Sequence, residues 1–180
     1  MQTFLPIAST DFAQSAKVLD NKRLNKQALE GWQIMLTLLE LDPEGHDRKP
    51  RGWVNHPAVV MWRDHETVLW TYVMAMVEEW KARGFKSTIG DKASATLDVA
   101  YARGILGTIG SLPEWMSKAN IFEAVASSHR SALLCKNYEW YSQFEWAEDT
   151  GVVPESYAYV WGMSTNPSTT IIHRNFSTQK

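Results

Sequence analysis

Glu30 is the carboxylate best placed by its neighbours to do chemistry. Arg23, Lys26 or Gln27, and Glu30 stand at i, i+3 or i+4, and i+7, so a helix carries them on one face. That face lies away from most of the apolar stripe of Leu24, Ala28 and Trp32. Lys17 and Lys22 extend the same basic cluster, the densest in the chain. Two readings are open. One is a solvated charged face of an amphipathic helix. The other is a carboxylate held among cations beside an anionic substrate, acting on a developing positive charge while the cations hold phosphates.

Other polar groups are weaker signals. His56 sits beside Asn55 at a helix start marked by Pro57, where it serves equally as a capping-region residue or a functional one. Ser127-Ser128-His129-Arg130 gathers hydroxyls, an imidazole and a guanidinium, but no G-x-S-x-G elbow accompanies them. A phosphate-binding turn and ordinary helix-surface polarity are both open there. The histidines do not fall at ligand spacing, so no metal site is expected. Gly104, Gly107 and Gly110 form neither a dinucleotide fingerprint nor a P-loop. Cys135 is the single cysteine, which excludes an intramolecular disulfide and suits a reducing compartment.

The elements that must position these groups read as helices. Ser9, Thr10 or Asp11 caps a short helix through Val18, and a longer amphipathic one runs from about Asp20 to Glu40. Residues 42–52 hold two prolines, two glycines and six charged side chains, a solvated loop. One long helix is expected from Ala58 to Arg83, stopped by Gly84, with Asn55 as its cap. Weaker helical patterning covers Ala93–Leu106, and a further helix covers Ile121–Lys136. Residues 137–180 are aromatic and turn-rich, and no strand pattern stands out. The expectation is an all-α fold, a compact domain of three to five helices over residues 1–163. An aromatic-rich irregular segment closes that domain, followed by a polar tail over 164–180.

With 180 residues, 44% hydrophobic and 21% charged, the chain is long enough to bury one sizeable core. Arg63, Asp64, His65 and Glu66 interrupt its most apolar stretch, which argues against a membrane span. Nor does its start read as a secretory signal. A formal charge of -2 lacks the strongly basic balance of many nucleic-acid binders, although a local basic stripe suffices on a near-neutral protein.

These residues resemble the pyrimidine-dimer DNA glycosylase family of the phage endonuclease V type. Leu19-Asp20-Asn21-Lys22-Arg23-Leu24 followed by Glu30 is similar to the family's signature on its first long helix. Gly52-Trp53-Val54-Asn55-His56-Pro57 resembles a motif of bacterial members, and Glu79 to Phe85 resembles the R-G-[FY] end of the next helix. Ser128-His129-Arg130 through Leu134, and Trp140-Tyr141, complete an ordered set running to about Gly162.

The resemblance implies an all-helical enzyme that cleaves N-glycosidic bonds at damaged or modified pyrimidines in DNA. It attacks with the chain's α-amine and then breaks the backbone as a lyase. It implies no cofactor, no metal and no obligate protein partner, and a cytoplasmic, bacterial or phage-encoded setting. Carried over by position, Met1 and Glu30 are the catalytic candidates. Lys22, Arg23, Lys26, Asn55, His56, His129 and Arg130 are the candidate DNA contacts. Gln2 is too large for efficient removal of Met1, so the nucleophile is either the amine of Met1 or a water molecule. Two rivals stay open: a DNA-binding protein of the same fold without chemistry, and an enzyme acting on free nucleotides.

Overall fold

The computed structural model describes residues 2–49 and 52–162, together with the backbone of 168–173. Eight α-helices occur among the described residues, more than the three to five expected, because three of them are single turns. The mainly helical expectation holds.

α1 (Phe12–Val18) is capped by Asp11, whose side chain accepts from the Gln14 N–H. α2 (Asn21–Leu38) follows, and Asp20 repeats the device at its start by accepting from the Arg23 N–H. The buried face of α2 includes Leu24, Ala28, Trp32 and Met35, the stripe read from the sequence. It packs along α4 (Glu66–Ala82). The crossing is close at Gly31, where a Cβ would stand 2.6 Å from Val73 Cγ2. Any larger residue there has to displace the Val73 side chain.

The single helix expected over 58–83 is two. α3 (Pro57–Val60) ends after one turn, and Asp64 takes a left-handed conformation with φ 66° before α4 begins. The cause is tertiary. The Glu66 carboxylate accepts from the N–H groups of Asp64 and Gly107, both at 3.1 Å, so the first residue of α4 fastens the turn before it to a distant loop. At Gly107 itself a Cβ would meet Asp64 Cα at 2.4 Å, so that loop fits only as glycine. His56, not Asn55, caps α3, its Nδ1 accepting from the Ala58 N–H.

α5 (Ile89–Arg103) ends at Gly104 in the left-handed conformation. α6 (Glu114–Ser117), α7 (Ala119–Lys136) and α8 (Tyr138–Tyr141) complete the helical part. The C-terminal segment is not wholly irregular: β1 (Ser156–Trp161) pairs antiparallel with β2 (Ser168–His173) and packs on α7. Within the stretch read as a polar tail, β2 is the described portion, and the rest lies outside the described residues. Among the described residues no helix is long and apolar enough to cross a membrane.

Residues 2–6 run through the core of this assembly, and Thr3 and Leu5 are fully buried. A buried extended segment with no strand beside it must find partners for its N–H groups elsewhere. Side chains supply them. Gln2 N–H donates to Glu30 Oε2 (3.1 Å) and Thr3 N–H to Gln2 Oε1 (3.0 Å). Phe4 N–H donates to Gln27 Oε1 (2.7 Å) and Leu5 N–H to His129 Nδ1 (2.9 Å). Trp62 adds a bond from its indole N–H to Thr3 Oγ1 at 2.9 Å.

Candidate active site

The beginning of the chain leads to a cavity of about 360 Å³ bounded by α2, Phe4, the His56–Pro57 corner, Lys136 and β1. Glu30 belongs to its wall. Its side chain is only 12% exposed, with Lys26 Nζ 3.6 Å from Oε1 and the Gln2 N–H on Oε2. Gln27, one helical step behind, is buried and takes bonds from Phe4 N–H and from the Tyr72 hydroxyl (2.7 Å). The i, i+3/i+4, i+7 face of α2 is therefore only partly solvated, with Lys26 exposed but Gln27 buried and Glu30 largely covered. Its Gln27 and Glu30 face inward because the first residues of the chain need acceptors.

Lys22, Arg23, Lys26 and Lys136 also line the cavity, against the single carboxylate of Glu30. This local excess of positive charge arises on a chain of net charge -2. The four cations are not equivalent. Lys22 is exposed and Lys26 keeps 65% of its side chain in solvent, both suited to contact phosphates. Arg23 is engaged internally, through Asp20 Oδ2 (3.1 Å) and the Lys136 carbonyl (2.9 Å). It ties the start of α2 to the end of α7.

Two buried phenols approach Glu30 from the apolar side. Burial and the Glu30 charge push the Tyr72 hydroxyl well above its ordinary range. Burial, Tyr157 and Glu30 do the same to Tyr159. Both remain neutral, so Glu30 has no second anion among them.

His56 lines the cavity, its ring 4.8 Å from Trp53 and 5.6 Å from Trp161. Partial burial lowers its pKa, with the Glu30 charge acting in the opposite direction. Asn55 is exposed on the adjoining turn and does not line the cavity.

His129 and Arg130 are not brought to the cavity wall. His129 is fully buried, its Nδ1 bonded to Leu5 N–H and its Nε2 2.6 Å from the Gln2 carboxamide. It offers no surface to a phosphate in this conformation; it holds the first residues of the chain in place. Arg130 donates to Glu148 at 2.8 Å and to the Pro6 carbonyl at 2.8 Å, and also pairs with Glu123. Met1 lies outside the described residues. Among those described, no group of three or more His, Cys, Asp or Glu side chains gathers as a metal site.

Burial holds the His129 pKa down at about 3. An unfolded histidine titrates near 6.5. Between those values the unfolded chain binds a proton that the folded chain refuses, so His129 makes stability fall as pH drops from about 6.5 to 3. The expected slope from this residue approaches about 1.4 kcal/mol per pH unit. Urea midpoints measured at pH 7, 6, 5 and 4 test it against His129→Gln, which does not titrate. The variant loses stability at pH 7 but shows a flatter fall, and parallel curves would remove His129 as the cause.

Sequence reasoning misses Gln2, Tyr72 and Lys136, offers Gln27 only as the alternative to Lys26, and leaves Tyr157 and Tyr159 among the dense C-terminal aromatics without singling them out. The one available signal was the alternation of Tyr157, Tyr159 and Trp161, a strand period within a stretch dense in aromatics. A family model described as pyrimidine dimer DNA glycosylase matches residues 1–93, just over half of the 180-residue chain. No curated protein and no solved structure matches.

Proposed function

The chain belongs to the pyrimidine dimer DNA glycosylase family, and from that membership we propose a bifunctional enzyme. In this reading it excises a damaged pyrimidine through an α-amine at residue 1, assisted by Glu30, and then cleaves the backbone at the abasic site. The observation that carries the proposal is the bond from the Gln2 N–H to Glu30 Oε2. The α-nitrogen of residue 1 is three covalent bonds from that amide nitrogen, a path of about 4.3 Å at most. An amine there is within reach of the same carboxylate.

An α-amine titrates near 7.7–8.0, so roughly a tenth or more is neutral and nucleophilic at pH 7. It attacks C1′ of the damaged nucleotide as the bond to the base breaks, and the electron pair leaves with the base. Glu30 stabilises the positive charge on the sugar and takes the proton released by the attacking nitrogen. Opening of the sugar ring gives an imine. That imine acidifies the neighbouring C2′ proton, and its removal expels the 3′ phosphate. Lys22 and Lys26 hold the flanking phosphates, and extrusion of the nucleotide exposes its glycosidic bond.

The direct test is to incubate tag-free protein with UV-irradiated duplex and with abasic-site duplex in the presence of borohydride. The expected product is a covalent adduct whose mass maps to residue 1. Cleavage with no adduct would assign the attack to water. Neither cleavage nor adduct on either duplex would overturn the proposal.

Phosphate contacts make a separate prediction. Lys22→Ala weakens duplex binding at every sequence and reduces the steepness of log K against log salt by about one. Titrations from 50 to 200 mM salt read it out. Arg23→Ala is a poorer probe, because it also unties α2 from α7. An unchanged slope for Lys22→Ala would place the α2 face away from DNA.

A further inference from the structure

The His56–Pro57 corner of the cavity is preceded in the chain by a turn that carries an exposed ring. Gly52 takes a left-handed conformation with φ 96°, and a single 3-10 turn (Trp53–Asn55) follows. Trp53 on that turn is 50% exposed, the most exposed of the nine tryptophans in the chain. It gives up much of the burial energy that Trp32, Trp62 and Trp115 gain. Among the described residues no bond fastens its indole N–H, whereas that of Trp140, the other exposed tryptophan, is tied to the Val18 carbonyl. The Trp53 ring centre lies 4.8 Å from that of His56, and His56 lies 5.6 Å from Trp161; the last two line the cavity. Rings thus lead from solvent to the cavity wall. Arg63, also exposed, donates to the Val54 carbonyl at 3.5 Å and keeps a positive charge beside the turn.

We infer that Trp53 recognises the lesion from the rim of the cavity, by stacking on a base of the damaged duplex whose face the lesion has laid open. This inference rests on the glycosylase reading. Stacking on an aromatic ring needs a free base face and little else, since every base has one. In an intact duplex neighbouring bases cover both faces, so Trp53 meets only backbone and groove edges there. A pyrimidine dimer changes that. Its cyclobutane ring saturates C5 and C6 of both pyrimidines, the bases are no longer flat, and the stack weakens on either side. Kinking the duplex at such a site costs less and uncovers a base at the break. The cations of α2 hold phosphates of damaged and undamaged DNA alike, so they add affinity without discrimination. A ring that finds its partner only at the break adds discrimination.

The experiment measures equilibrium binding of the full chain to two duplexes of one sequence, one carrying a thymine dimer and the other undamaged, at several salt concentrations. Trp53→Ala removes the ring, Trp53→Leu keeps apolar cover beside His56 without a flat face, and Trp53→Phe keeps a ring. Thermal midpoints confirm that all three fold. For Trp53→Ala and Trp53→Leu the expected result is a loss of about fivefold or more on the dimer duplex, a change within about twofold on the undamaged one, and an unaltered salt slope. Trp53→Phe retains most of the dimer affinity. Unchanged or equally reduced affinity for both duplexes, wild-type binding by Trp53→Leu, or a shallower salt slope would each overturn the inference and leave the glycosylase reading standing. A wild-type protein with no preference for the dimer duplex overturns both.

Discussion

Glu30→Gln is expected to lower base excision by a factor of 10² to 10⁴ while leaving affinity for damaged duplex within a few fold. The size follows from what the carboxylate does in the proposed reaction. Proton transfer and charge stabilisation by one positioned side chain are each worth about 10²-fold or more. Glutamine keeps the shape and can still accept from the Gln2 N–H, so the start of the chain stays anchored. It cannot take a proton or carry the negative charge. Affinity is preserved because the proposed phosphate contacts are Lys22 and Lys26, both more exposed than Glu30. Loss of the charge also removes the attraction 3.6 Å from Lys26, which frees that ammonium for DNA. Single-turnover excision on a UV-irradiated duplex, with binding measured in parallel, checks the split. Wild-type turnover by Glu30→Gln would take Glu30 out of the mechanism. A matching loss of binding would make it a structural residue.

An uncleaved N-terminal extension should silence the amine-dependent reaction, by 10³-fold or more. An acylated nitrogen is no longer a nucleophile, so the chemical loss is complete in principle and the residual rate reports water alone. Burial adds to it. Gln2 and Thr3 are 4% and 0% exposed, and their N–H groups are held by Glu30 and by the Gln2 side chain itself. Residues added ahead of a chain start held this closely to Glu30 are expected to crowd the proposed nucleotide cavity as well. Two comparisons separate chemistry from obstruction. Selective acetylation of the α-amine removes the nucleophile with almost no bulk, and proteolytic removal of the extension to expose Met1 restores activity. Full activity with the extension in place would exclude residue 1 as the nucleophile and assign the reaction to water, with Glu30 as its base.

The two predictions share a physical origin. The same carboxylate is fastened to the start of the chain and faced by Lys26, in a cavity whose phenols are buried and neutral.

Local signals in the sequence determined much of the framework. Asp11 and Asp20 as caps, the Leu24–Ala28–Trp32 face of α2, Pro57 at the first turn of α3 and the stop at Gly84 depend on neighbours within about four residues. Periodicity and turn chemistry therefore reveal them. The cluster of Lys22, Arg23, Lys26 and Glu30 was legible for the same reason, since one helix carries it.

What only the tertiary structure decided lies in contacts between segments far apart in the chain. The break at residues 61–65 depends on Gly107 reaching Glu66. The inward turn of Gln27 and Glu30 depends on the buried passage of residues 2–6. His129 looks like a surface histidine beside Arg130, yet it is buried because Leu5 N–H requires an acceptor there. Lys136 and Tyr157 meet across 21 positions, and both meet the α2 face only when β1 packs on α7. A helical or strand period records which way a side chain points relative to its own element. Which partner waits on that side is settled by packing, because burial obliges each polar group to find the one neighbour that can satisfy it.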